Sequence, residues 1–267
     1  RLFMQARRHA LAGGDLRKAA GMLDNQALAE KQLGHYDEAL RLSLESLAQQ
    51  RRLGDVAGEA LCLTNIAALE LDRGQYEEAA VHFKAALAIA DAHGLVRTRG
   101  LILANLTELS AKTHDDAAAQ TYAGRALEIA RSAAHRDLIA WLQLQLTGLA
   151  VRRGDLAAAR SHLAAALHAA TAIGRPALQL AGVACFAELL AAQGEAECAR
   201  RVLAFAADQP SASPQQREEL RARLAEHRQP VEPQPAWPGL QLDDLVNRLL
   251  AETDIAHAPL IALLRGT

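Results

Sequence analysis

The chain has 267 residues, 51% of them hydrophobic and only 3% aromatic, and its 29 Lys and Arg against 31 Asp and Glu leave a net charge of −2. That balance lacks the basic excess needed to neutralise phosphates, so direct binding to nucleic acid is not expected. Three cysteines (Cys62, Cys185 and Cys198) with no CxxC encode neither a disulfide framework nor a zinc site, which points to buried thiols in a reducing, cytoplasmic setting.

Alanine and leucine dominate, as long packed helices require. Gly34, Gly74, Gly154 and Gly194 lie on a ladder of 40 residues, with His114 in its one gap. A second ladder, offset by 20, holds Gly14, Gly54, Gly94 and Gly174, with Ala134 in its gap. Glycine adopts the left-handed conformation that ends a helix, so the chain is predicted to reverse every 20 residues.

In chain order, residues 1–13 read as the second helix of an incomplete upstream unit. The chain starts at Arg1, already in a helical pattern and without an initiator Met, as expected of a segment cut from a longer protein. Full helix pairs are predicted near 15–53, 55–93, 95–133 and 135–173, and a shorter one at 175–208. Between the turns the apolar spacing is helical, as in Leu61, Leu63, Ile66, Ala67 and Leu71. The solenoid thus spans 1–208. A capping helix is predicted at 209–228, opened by Ser213 as N-cap and Pro214 at the first position. Residues 229–267 read as a proline-rich linker and two short amphipathic helices, near Leu242–Glu252 and Ala258–Leu264, whose pattern suits a plug for a groove.

The turns carry a resemblance. Gly34-His-Tyr36-Asp-Glu-Ala39 and Gly74-Gln-Tyr76-Glu-Glu-Ala79 resemble the turn signature of tetratricopeptide repeats, and Ala39, Ala79, Ala119, Ala159 and Ala199 continue the ladder of small residues. The resemblance implies an all-α fold, a right-handed superhelix of antiparallel helix pairs. The period of 40 departs from the usual 34, and the closing proline is missing. Longer units of this kind resemble the C-terminal repeats of MalT-like and AfsR-like bacterial ATPase regulators and those of kinesin light chains. Trp237, Leu240, Leu242 and Leu245 resemble the tail of such regulators.

No catalytic or cofactor constellation is encoded. Nothing matches GxxxxGK[ST], GxGxxG or HExxH, and Gly13-Gly14 sits on the repeat ladder as an ordinary turn. His162 and His168 are six apart, a spacing that suits solvated side chains and no metal. Neither a secretory signal nor an apolar stretch long enough to span a bilayer is present.

One pattern stands out. Asn25, Asn65 and Asn105 recur at the 40-residue period and continue as Gln145 and Cys185, each nine residues before its turn. An amide both donates and accepts, so it can pair with a peptide unit without reading the side chain. By the resemblance, these positions line the concave surface, with Glu108 and Trp141 beside them as further groove residues. On sequence alone the amides would equally serve to tie helices together or to face water, and Trp141 to pack between units. The expected function is therefore a module of a bacterial signalling or transcriptional regulator that binds a protein, a peptide or a small effector and acts on adjoining domains. The alternatives are a passive scaffold and an accessory domain of a kinase or cyclase.

Overall fold

The computed structural model describes residues 2–226 and 240–251, and every regular element among them is a helix. The chain divides into two compact units, residues 1–129 and 130–267. The first holds α1 (Leu2–Ala12), α2 (Leu16–Gln32), α3 (Tyr36–Leu53), α4 (Val56–Asp72), α5 (Tyr76–Ala92) and α6 (Val96–Lys112). The division falls near the end of α7 (Asp116–Ser132). The second holds α8 (Arg136–Arg152), α9 (Leu156–Ala172), α10 (Pro176–Ala192), α11 (Ala196–Ala207), α12 (Pro214–Glu226) and α13 (Leu242–Ala251). The Pro-rich stretch, with Trp237, and the helix expected at Ala258–Leu264 lie outside the described residues.

The turns follow one design. At the first, Gly34 has φ 80°, its N–H donates to the Lys31 carbonyl at 2.9 Å, and the His35 N–H reaches back to the Glu30 carbonyl at 2.9 Å. These bonds satisfy carbonyls that the end of the helix would leave bare. Three residues then suffice to start the next helix. Asp15, Asp55, Asp115 and Asp155 each accept the N–H three residues on at 3.0 Å, at Lys18, Gly58, Ala118 and Ala158. His114 (φ 59°) and Ala134 (φ 51°) hold the same left-handed conformation without being glycine.

Consecutive helices pack as pairs, α2 on α3, α4 on α5, α8 on α9 and α10 on α11. The alanine ladder explains how closely they approach: Ala39, Ala79, Ala119, Ala159 and Ala199 are all at most 1% exposed. A larger side chain there would force the pair apart. In the first unit Phe83 fills a core with Leu63, Ile66, Ile102 and Leu106. In the second, Phe186 does so with Leu163, Leu167, Val183 and Leu190.

The last pair is incomplete, and the chain repairs it. α11 has 12 residues against 17 in α9 and α10, so the end of α9 and the start of α10 lack their usual cover. α13 packs on both. Its Leu242, Leu245, Val246 and Leu249 are 0–7% exposed and join the same core, and Gln179 Nε2 donates to Asp243 Oδ1 at 3.2 Å. α12 opens with a reciprocal capping box between Ser213 and Gln216, both bonds 3.2 Å long. It lies along α10, where Gln216 donates to the Ala177 carbonyl at 3.1 Å and Arg223 meets Glu188 at 2.6 Å.

Candidate functional site

α4, α6, α8 and α10 are buried on most sides; in the first unit α4 packs on α2, α3, α5 and α6, and in the second α8 packs on α9 and α10, and α10 on α9 and α11. One stripe per helix escapes full burial, at positions related by i, i+4 and i+7, the spacing of one helix face. It carries Leu61, Asn65 and Ala68 on α4; Leu101, Asn105 and Glu108 on α6; Trp141, Gln145 and Gly148 on α8; and Ala181, Cys185 and Glu188 on α10. α2 is less covered, and its Asn25 is exposed at the same register. Among the described residues, Asn65, Asn105 and Gln145 sit at the centre of the partly exposed stripe on α4, α6 and α8, whereas on α10 the position is Cys185 and Arg223 of α12 meets Glu188 beside it.

In the first unit α2, α4 and α6 lie side by side, which puts Asn25, Asn65 and Asn105 on neighbouring helices. None of these amides ties one helix to another. Asn105 Nδ2 donates to the Leu101 carbonyl of its own helix at 2.9 Å, leaving its carbonyl oxygen to accept. Asn25 and Asn65 make no side-chain hydrogen bond among the described residues. Exposed apolar groups flank them, with Leu28 51% and Leu61 39% exposed. Glu108 meets Lys112 at 3.9 Å, an exposed contact of little energetic weight.

In the second unit the stripe holds Trp141, Gln145, Cys185 and Glu188. Burial, with the Glu188 charge behind it, pushes the Cys185 thiol up to about 12. Trp141 is only half-buried. Together with Leu138, Ala177 and Leu178 it walls a cleft of about 330 Å³ between the starts of α8 and α10. On the rim Arg175 Nε donates to Asp137 Oδ1 at 2.9 Å.

Two sequence expectations change. His162 is not a solvated side chain, since its Nδ1 lies 2.7 Å from Gln143 Oε1 on the facing helix and burial lowers its pKa. α13 does not plug the stripe. It docks beside Gln179, which points about 180–240° around α10 from Ala181, Cys185 and Glu188 at 100° per residue. The sequence also hid a buried polar cluster, in which the Cys62 thiol donates to Asp24 Oδ1 at 3.3 Å and approaches Ser46 Oγ at 3.4 Å. Burial raises both pKa values, that of Cys62 to about 12, which makes this thiol a poor nucleophile. Among the described residues no three His, Cys, Asp or Glu side chains gather as a metal site, and no helix is long and apolar enough to cross a membrane.

Residues 18–92 match the tetratricopeptide repeat family. No curated protein gives a significant match. Two solved structures share the fold. BtubC (BKLC) from P. vanneervenii aligns at 20% identity and a TM-score of 0.63, over 90% of this chain and 93% of that one. Aspartyl phosphate phosphatase F from Bacillus subtilis aligns at 15% identity and a TM-score of 0.64, over 86% of this chain and 64% of that one. The match to tetratricopeptide repeats at residues 18–92 thus falls within a series of helix pairs that shares the fold of both structures.

Proposed function

We propose that the chain is a peptide- or protein-binding module whose ligand lies along the amide stripe. The observation that carries this is the placement of Asn25, Asn65 and Asn105. They recur at one register on three adjacent helices, on the face left open, with no bond from one helix to another. A side-chain amide in that position costs little to desolvate when a peptide N–H and C=O replace water on it. Leu28 and Leu61 beside the amides offer apolar contact to a ligand's side chains. Gln145 and Trp141 hold the corresponding register on α8 of the second unit, and in the first unit Glu108 supplies a carboxylate that disfavours an acidic ligand.

The role assigned is binding without catalysis. The thiols of Cys62 and Cys185, both pushed up to about 12, support it. The 40-residue units, which resemble those of bacterial ATPase regulators, favour a cytoplasmic signalling or transcriptional regulator in which binding here biases adjoining domains.

The test is selection from a random peptide library, followed by affinity measurement on the selected peptides. Changing Asn65 and Asn105 together to Ala is expected to weaken binding at least about tenfold, as two lost charge-free hydrogen bonds would, while the melting temperature stays within about a degree. Unchanged affinity, or a large loss of stability, would overturn the assignment.

A further inference from the structure

We propose that the cleft at Trp141 is a specificity pocket for one neutral, apolar side chain, aromatic or branched aliphatic, of a peptide lying on the stripe. This deepens the peptide-binding role and rests on it. Three features converge. The first is position: Trp141 is one turn before Gln145 on the exposed face of α8, so a peptide unit held by that amide stands about 6 Å from the cleft. The second is size. At about 330 Å³ the cleft lies at the small end of ligand sites, which run from roughly 300 to 1,000 Å³, and it suits a single residue.

The third is charge. Trp141, Leu138, Ala177 and Leu178 form apolar walls. The polar groups at the edge are already matched, with Arg175 on Asp137 at 2.9 Å and His135 Nδ1 accepting the Leu138 N–H at 3.2 Å. The rim charges cancel, so an ionic side chain would lose its water without gaining a counter-charge. An aromatic ring would gain the offset contact that indole faces favour. Elsewhere along the repeats the pocket's components differ. Leu61 and Leu101 replace Trp141 on α4 and α6, and Arg97 and Thr98 stand where α10 has Ala177 and Leu178.

The full chain with Trp237→Phe leaves Trp141 as its one tryptophan, and its fluorescence excited at ~295 nm reports the cleft directly. The probes are N-acetyl-phenylalaninamide, N-acetyl-lysinamide and N-acetyl-glycinamide. The phenylalanine amide is expected to shift the emission saturably, with apparent affinity at least about tenfold above the other two, the discrimination an apolar pocket gives. Ala177→Arg, at an exposed position, should abolish the shift without changing the unfolding temperature. Equal responses to all three amides, or a response that survives Ala177→Arg, would overturn the pocket. The two proposals fail separately. Library peptides that bind in an Asn65-dependent way but ignore Ala177→Arg sink the pocket alone. A phenylalanine amide that binds at Trp141 while no peptide depends on the asparagines sinks the stripe alone.

Discussion

Ala134 offers a direct test of what sets the repeat. It occupies a turn position that glycine holds at Gly54, Gly94 and Gly174, and it keeps φ 51°. An L residue in this region loses about 1–2 kcal/mol to the clash of its Cβ with the following carbonyl. Replacing it by glycine relieves that strain but gives the unfolded chain more freedom, which offsets about 0.4–1 kcal/mol. Ala134→Gly should therefore stabilise the protein by about 0.5–1 kcal/mol. The reciprocal change is equally clean, because a Cβ built at Gly174 (φ 60°) meets no atom within 4 Å. Gly174→Ala then carries the backbone term alone and should destabilise by a similar amount. Urea unfolding followed by far-UV circular dichroism measures both, since neither variant alters buried surface and the slope should stay constant. If Ala134→Gly is neutral or destabilising, or Gly174→Ala is silent, backbone conformation is not what places glycine on the ladder.

Two further variants probe buried features. Burial raises the Asp24 carboxyl pKa, and hydrogen bonds from Cys62 and Ser46 only partly oppose the rise. The folded state therefore holds the proton more tightly than the unfolded one, and stability falls as pH rises from about 4 through the raised folded value. Asp24→Asn cannot ionise, so it should gain on the parent between pH 4 and pH 7; parallel stability curves would refute the argument. Leu245 is 0% exposed at the centre of the α13 contact. Leu245→Ala should cost about 2–5 kcal/mol in urea unfolding if α13 unfolds with its unit, whereas an unchanged midpoint would show that α13 is not docked in solution.

What the sequence reveals and what it hides divide along physical lines. Interactions within one turn or one helix were legible. The glycine ladder and the Ser213 cap depend on residues at most a few positions apart, as do the Asp15, Asp55, Asp115 and Asp155 caps that the structure adds. The register of the amides was legible too, because a helix hemmed in on most sides has only one face left. Contacts between helices were hidden. His162 looks solvated by its distance from His168, yet its partner Gln143 is 19 residues upstream on the facing helix. α13 looks free to seek any apolar groove, yet what fixes it is the shortness of α11, whose signal is the stop at Asp208-Gln209-Pro210 only 14 residues after Gly194. That repair has a consequence for the stripe. Among the described residues, α13 is spent on the end of α9 and the start of α10, and Arg223 of α12 engages Glu188 on α10, while Trp141 and Gln145 on α8 stay partly exposed. α13 thereby supports the fold at a place away from α8, so a variant that loosens α13 should lower stability before it alters what the Trp141 cleft selects.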